Sequence, residues 1–194
     1  MCIFAAHYQS VIVMSQFEYK PRVADGVLEK KLKSSGAVLV EGPKWCGKTT
    51  TSEQHAKSIN YISDPVNLNK NMILAEMNIN ALLEGDKPKL LDEWQIIPQL
   101  WDAVRFEVDH SKGIGQFIMT GSAVPPDKEK QAKIHHTGTG RITSLRMRPM
   151  SLWESGESSG EVSLANLFNN PGTPIYSESK VQLEQIAFLI CRGG

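Results

Sequence analysis

Residues 42–49 read Gly-Pro-Lys-Trp-Cys-Gly-Lys-Thr and satisfy every fixed position of the pattern G-x-x-x-x-G-K-[S/T], which is typical of phosphate-binding loops. The apolar run 37–41 before them predicts a buried parallel strand, and residues 49–58 after them predict a helix. Glycines let the backbone turn tightly, so that successive N–H groups and the helix N-terminus point at one anion. The sequence therefore predicts a strand, a phosphate loop and a helix in succession.

The phosphate loop predicts a nucleotide and a magnesium ion as ligands. The side chain of Lys48 is predicted to reach the β- and γ-phosphates, and the hydroxyl of Thr49 to bind Mg²⁺, which takes only a few protein oxygens. The alternative is a chance glycine-rich turn, which the flanking strand and helix disfavour. The predicted nucleotide-binding residues are the loop and the residue after it: Gly42, Pro43, Lys44, Trp45, Cys46, Gly47, Lys48, Thr49 and Thr50.

Length and composition predict one α/β domain in the cytoplasm. At 194 residues the chain is long enough for one sizeable domain and too short for two. Its 21 Lys and Arg residues balance 21 Asp and Glu residues, so no overall charge favours nucleic acid or an anionic membrane. The three cysteines are widely spaced, which favours a reducing compartment. Residues 1–18 are predicted to be a leader, possessing no continuous apolar segment that could span a membrane.

A second motif lies in residues 89–94, where an apolar strand ends in two adjacent carboxylates. Asp92 is predicted to hold Mg²⁺ together with Thr49, and Glu93 to orient and polarise an attacking water as a general base. The chain turns into a loop at this strand end, so both side chains are expected to face the site. The alternative is an acidic pair that favours the dipole of a following helix near Pro98.

Two further strands supply candidate polar groups. The buried strand 116–122 ends in Thr120 and Ser122, one of which is predicted to sense the γ-phosphate, although such residues are also common in turns. Arg141 follows Gly138 and Gly140 and precedes a predicted strand at 143–147. It is predicted to act on transition-state phosphate charge, in cis or across a subunit interface, with an exposed surface arginine as the alternative. Arg146 and Arg148 are weaker candidates.

The remaining periodicities predict the elements that cover the sheet. They comprise a helix over 23–34, a strand at 59–62, a helix at 72–83 and a helix between Pro98 and Gly113. A Ser/Gly/Glu-rich linker follows at 155–160, then a short helix at 162–168 and an amphipathic helix at 179–191.

In order along the chain stand the phosphate loop, Leu-Leu-Asp-Glu at 90–93, Met-Thr-Gly-Ser at 119–122, Gly-Arg-Ile at 140–142 and Arg-Pro-Met-Ser-Leu-Trp-Glu at 148–154. With this set the chain resembles bacterial AAA-type ATPases that carry a C-terminal domain of unknown function. The resemblance implies a three-layer α/β P-loop NTPase with a RecA-like core and a parallel sheet of about five strands in the order 5-1-4-3-2. It places the core at 19–154 and a linker with the start of a helical part at 155–194.

The resemblance also implies function and partners. It implies ATP and Mg²⁺ as ligands. It also implies that relatives continue past the position of Gly194 into a helical lid and a second domain, which we expect residues 1–194 not to include. The first hypothesis is a Mg²⁺-dependent ATPase whose hydrolysis switches an attached domain or an unknown protein or nucleic-acid partner, in a monomer or an oligomer. The alternatives are a nucleotide-dependent binding module and a small-molecule kinase. The kinase is disfavoured because residues 123–136 contain no arginine, and a GTPase because residues 69–72 lack the aspartate of the guanine-reading pattern.

Overall fold

The structure, a computed structural model of the chain, describes residues 18–121 and 138–192. Its centre is a sheet of five strands: β1 (Ala37–Glu41), β2 (Ser58–Tyr61), β3 (Lys89–Asp92), β4 (Phe117–Gly121) and β5 (Ile142–Arg146). All neighbouring strands are parallel, and their spatial order is β5-β1-β4-β3-β2. The predicted fold class and strand order are confirmed.

Within the described residues, the helices before β5 cover the two faces of the sheet, and three short helices follow that last strand. In chain order the helices are α1 (Val23–Leu32), α2 (Lys48–His55), α3 (Leu68–Asn78), α4 (Gln99–Ser111), α5 (Leu152–Ser155), α6 (Leu164–Asn169) and α7 (Leu183–Arg192). Single 3₁₀ turns lie at Ile79–Leu82 and Trp94–Ile96. None of the helices in the described ranges is long and apolar enough to cross a membrane.

Two apolar clusters, one on each face, explain why the central strands β1 and β4 are almost continuous apolar runs. One face packs Phe117 and Met119 of β4 against α4, and the other packs Ile118 of β4 against Leu28 of α1. Successive residues of a strand point to opposite faces, so a strand buried on both sides needs no polar residue until its end. Every residue of β3 and β4 is buried.

The structure departs from the predicted boundaries after β3. The strand was expected to run through Trp94, but it ends at Asp92, because Glu93 adopts a left-handed backbone conformation with φ 58° and starts a 3₁₀ turn. A residue in this conformation cannot continue a strand. The helix expected to reach Ser58 ends at His55, and Ser58 is the first residue of β2. The turn at Glu93 moves its side chain out of the strand alternation.

A buried ion pair joins the segment before α1 to the segment after β5. The Arg22 Nε atom donates to Glu154 Oε1 at 3.0 Å, and the two side chains are only 5% and 6% exposed. Glu154 also accepts from the amides of Val23 and Ser151 and from the Ser151 hydroxyl, which closes the capping box of α5. Burial alone would raise the pKa of the Glu154 carboxyl, but these hydrogen bonds outweigh it and lower that pKa from 4.5 to about 2.

The Glu154 carboxylate is therefore expected to make the free energy of unfolding depend on pH, with a loss of stability in acid. A carboxyl whose pKa is depressed in the folded state stabilises fully above pH 4.5, and this contribution is lost as the pH falls towards 2. Glu154→Gln should lower the free energy of unfolding by about 2 kcal/mol at pH 7, and the difference from wild type should shrink as the pH falls to 3. Urea unfolding at several pH values measures this.

Glu29→Gln is the matched control, because Glu29 is exposed and its nearest cation, Lys33, lies 4.0 Å away. It should change the free energy of unfolding by less than about 0.5 kcal/mol at any of these pH values. A Glu154→Gln difference that stayed constant from pH 7 to pH 3 would contradict the assignment of this acid sensitivity to Glu154.

Candidate functional site

The register of the sheet brings three strand ends to one edge. Thr120 of β4 lies beside Val40 of β1 on one side and beside Asp92 of β3 on the other. The phosphate loop leaves β1 immediately afterwards, at Gly42. Because the strands are parallel, their carboxyl ends form a common edge where α/β proteins bind ligands. The loop and the acidic pair therefore meet at this carboxyl edge.

The two motif glycines are required for different reasons. A Cβ atom at Gly42 would lie 2.4 Å from the carbonyl oxygen of Met147, so the loop passes directly against the segment after β5. Gly47 has φ 89° and caps α2 in a left-handed conformation that favours glycine. Between them, Trp45 is also left-handed, with φ 67°, and 98% exposed, whereas Cys46 is buried. The loop thus carries a strained residue at its tip.

Lys48 lies at the start of α2, and its side chain folds back along the loop. Its Nζ atom donates to the carbonyl oxygens of Gly42 at 3.0 Å and Pro43 at 2.9 Å, and the residue is 7% exposed. Phosphate oxygens are charged and accept stronger hydrogen bonds than amide carbonyls do. A nucleotide phosphate placed in the loop can therefore take this ammonium group from its neutral partners.

A chain of hydrogen bonds joins the loop helix, β3 and β4 through Asp92. Asp92 Oδ1 accepts from the hydroxyl of Thr49 at 2.7 Å and from the hydroxyl of Thr120 at 2.5 Å. The Thr120 hydroxyl in turn accepts from the amide of Glu93 at 3.3 Å. Asp92 is 7% exposed and Thr120 is 1% exposed. The predicted metal residues Thr49 and Asp92 are thus in direct contact. Thr120 of β4 is hydrogen-bonded to both acidic residues, to the Asp92 side chain and to the Glu93 amide.

The donor set fits a hard divalent cation such as Mg²⁺. A hydroxyl and a carboxylate oxygen stand together at the mouth of a loop suited to phosphate, and Mg²⁺ is usually held by one or two protein oxygens together with substrate phosphates and waters. Within residues 18–121 and 138–192, no cluster of three or more His, Cys, Asp or Glu side chains could form a cage made of protein groups alone. The residues present therefore suit a metal that arrives with a nucleotide.

The carboxylate of Glu93 is held by a residue that the sequence reasoning missed. Gln95, in the 3₁₀ turn, donates from Nε2 to Glu93 Oε2, and its own Oε1 atom is buried without a hydrogen-bond partner. A Cβ atom at Gly121 would lie 2.3 Å from that oxygen, so Gly121 leaves the space that Gln95 occupies. The signal was a glutamine two positions after the acidic pair, which becomes informative only once the strand is known to turn at Glu93.

The cis role predicted for Arg141 is wrong in this fold. Its carbonyl accepts from the amide of Ala37, the first residue of β1, so Arg141 lies at the amino edge of the sheet. The loop begins at the other end of β1, about 13 Å away at 3.3 Å per residue. The Arg141 side chain instead pairs with Asp109 of α4 at 2.5 Å. Arg146, beside Glu41, lies at the carboxyl edge.

The other predicted residues take simpler positions. Pro43, Lys44 and Thr50 are exposed on the loop and at the first turn of α2. Ser122, the second candidate for sensing phosphate, lies outside the described residues. Thr120 is described, and its hydroxyl contacts Asp92 and the Glu93 amide, which places it between the metal candidates and the candidate base.

Arg22 is the second residue that the sequence reasoning missed. It precedes α1, yet its guanidinium contacts the back of the phosphate loop at the carbonyl of Cys46. No pattern in the sequence links it to a loop more than twenty positions away. Only the folded chain brings the two together.

A comparison of the sequence with models of known protein families found a match. A family model described as an AAA domain matches residues 34–155, which is more than half of the chain. The match begins just before β1 and ends with α5, so it includes the whole sheet and the phosphate loop. A search of the curated proteins found no match.

The bridge through Thr120 is expected to stabilise the carboxyl edge. Thr120→Val removes a buried hydroxyl, which leaves the Glu93 amide without its acceptor and Asp92 with one donor fewer. We expect the free energy of unfolding to fall by about 1–3 kcal/mol, the usual cost of leaving buried polar groups unpaired. Denaturant unfolding measures this against Thr143→Val, a threonine of β5 whose less buried hydroxyl accepts from Lys31 at 3.2 Å. Equal effects of the two substitutions would contradict a bridging role.

Proposed function

The chain belongs to the AAA domain family, and from this membership and the geometry of the carboxyl edge we propose that it binds ATP with Mg²⁺ and hydrolyses it to ADP and phosphate. Membership indicates a nucleotide-binding, ATPase-like domain. The observation that carries the finer proposal is the contact of Thr49 with Asp92 beside a base candidate, Glu93, at the mouth of the loop. Nucleotide binding without hydrolysis would need the loop but not the carboxylate of Glu93.

The loop supplies the binding interactions in this proposal. The N–H groups of Gly42 and of residues 44–49, with the N-terminus of α2, face the phosphates, and Lys48 exchanges its two carbonyl partners for phosphate oxygens. Thr49 and Asp92 hold the Mg²⁺ ion, which supplies charge neutralisation at the phosphates when it is bound. Each of these groups is already at the carboxyl edge without any rearrangement of the sheet.

Glu93 acts as the general base in the proposed reaction. A water oxygen attacks the γ-phosphorus, the bond between that phosphorus and the bridging oxygen breaks, and ADP leaves with the bond's electron pair. The proton of the water passes to the Glu93 carboxylate. The left-handed turn at Glu93 and the amide of Gln95 fix where this carboxylate lies, so the base is held by the backbone and by a hydrogen bond.

The position of Arg141 favours a site that is completed from outside. Phosphoryl transfer needs cationic charge on the transferred group, and arginines supply it in cis or in trans. Arg141 lies at the amino edge of its own sheet with its side chain 48% exposed, so in this proposal it serves a neighbouring copy of the chain. The same position also favours the second candidate function, a module in which ATP occupancy regulates a partner with little turnover.

The proposed core extends over residues 19–154, and hydrolysis would change the conformation of a domain or partner attached to it. The contact between Arg22 and Glu154 supports these limits, because it closes the core between its first and last segments. Large apolar side chains after Gly156 are exposed, including Leu164, Phe168 and Phe188. We propose that residues 155–194 begin a further helical part, as in relatives with a C-terminal domain, and that its partner is a protein or a nucleic acid.

Substitution of Lys48 and Glu93 tests the proposed reaction. Lys48→Ala should weaken ATP binding at least about tenfold, because a charge-assisted contact to phosphate is lost. Glu93→Gln should retain ATP binding and lower turnover by a factor of about 10²–10⁴, the typical contribution of a general base. Calorimetric titration with ATP and Mg²⁺ measures binding, and release of inorganic phosphate measures turnover.

Lys30→Ala and Glu29→Gln are the matched controls, since both residues are exposed on α1. They should leave both measurements unchanged. Binding with no turnover in the wild type would support the regulatory module instead of the ATPase, and absence of binding would reject both functions.

Substitution of Asp92 tests the metal site separately from the loop. Mg²⁺ should strengthen ATP binding to the wild type, and Asp92→Asn should lose most of that gain because a neutral amide oxygen is a weaker ligand for a hard cation. Titrations with ATP in the presence of Mg²⁺ and of EDTA measure the gain. Asp86→Asn, at an exposed aspartate near the amino edge, is the control. An unchanged effect of Mg²⁺ in Asp92→Asn would remove Asp92 from the metal site.

A further inference from the structure

We propose that Arg22 is a positioning residue for the phosphate loop, acting through the carbonyl group of Cys46. This inference rests on the proposed function, because it concerns the shape of the same nucleotide site. Its Nη1 atom donates to Cys46 O at 2.9 Å, and its Nη2 atom donates to Arg148 O at 2.9 Å. The third donor, Nε, pairs with Glu154.

The charge of Arg22 is already matched, which distinguishes this residue from a phosphate ligand. Glu154 lies 3.0 Å from Nε, and both side chains are almost fully buried. The low pKa of the Glu154 carboxyl keeps it ionised at neutral pH. Each of the three guanidinium nitrogens of Arg22 already donates to a protein oxygen: Nε to Glu154, Nη1 to Cys46 and Nη2 to Arg148. The contact of Arg22 with the loop therefore positions the Cys46 carbonyl and does not serve to bind phosphate.

The loop needs such support because of its backbone conformation. Trp45 and Gly47, on either side of Cys46, both have positive φ values, of 67° and 89°. For a residue with a Cβ atom this conformation costs about 1–2 kcal/mol, and it persists only where the surroundings hold it. The hydrogen bond from Arg22 holds the carbonyl of Cys46, the residue between the two left-handed residues.

The direction of that carbonyl matters for anion binding. A phosphate loop works because its N–H groups face the anion, and a carbonyl turned inward would oppose phosphate oxygens. Cys46 O is fixed on the guanidinium and cannot turn inward while the contact is kept. The space behind the loop is tight, since a Cβ atom at Gly47 would lie 3.1 Å from Arg22 Nη1. Arg22 thus connects the loop to the segment that follows β5 and to α5.

Replacement of Arg22 tests the proposal on binding and on loop motion. Arg22→Met should weaken Mg²⁺–ATP binding about tenfold, and the amides of residues 44–48 should exchange hydrogen faster in the protein without nucleotide. Arg22→Lys should restore little of either, because a single ammonium group cannot bridge both carbonyls with the geometry of a guanidinium. Calorimetry and hydrogen exchange read by mass spectrometry provide the two measurements.

Val104→Ala is the control for a loss of stability alone. Val104 is fully buried in α4, on the other face of the sheet from Cys46. This variant should be less stable while its ATP affinity and loop exchange match the wild type. Glu154→Gln keeps the guanidinium beside the loop but loosens its anchor, so it should show the same two effects as Arg22→Met, only smaller. It provides the test if Arg22→Met does not fold.

The outcomes separate this inference from the proposed function. Should the wild type bind ATP while Arg22→Met, or Glu154→Gln in its place, equals Val104→Ala in affinity and loop exchange, the positioning role is overturned and the function stands. Should the wild type fail to bind ATP, the proposed function falls, and loop exchange in the same variants still decides whether Arg22 shapes the loop.

Discussion

A buried carboxylate that accepts two hydroxyl hydrogen bonds holds the carboxyl edge of this protein together. Asp92 is only 7% exposed, and a carboxyl group is tolerated in such a place only where hydrogen bonds or a cation compensate for the lost water. Thr49 and Thr120 provide this compensation from α2 and β4. The loop helix, β3 and β4 must therefore keep their register for Asp92 to stay paired, and the same requirement brings the candidate metal and base positions together.

The phosphate loop is held on its opposite side by contacts that have no part in its sequence motif. Met147 runs against Gly42 so closely that a methyl group would not fit, and Arg22 binds the carbonyl of Cys46. This hydrogen bond keeps the Cys46 carbonyl away from the anion that the N–H groups of the loop would face. The segments before α1 and after β5 are thus part of the nucleotide site, although neither contains a motif residue.

Much of the fold was predictable because its signals are local. The apolar runs at β1, β3 and β4, together with the G-K-T motif, predicted strands and a loop that the structure confirms, while the strand order followed from the family resemblance. The Arg22 contacts were not predictable, since they join residues 24 to 132 positions apart and depend on how three segments pack. Gln95 was missed because the sequence pattern predicted a strand motif over residues 89–94, whereas the chain turns at Glu93 and brings Gln95 back to its carboxylate.

The error over Arg141 has a physical reason that the polarity of a parallel sheet makes clear. A residue just before a parallel strand lies at the amino edge, whereas the phosphate loop follows a strand and lies at the carboxyl edge. The glycines around Arg141 suggested proximity to phosphate but carry no information about the edge. For Arg141 to act on a second copy, the amino edge of one sheet must meet the carboxyl edge of the other. A ring or an antiparallel pair satisfies this condition, and a contact between like edges does not.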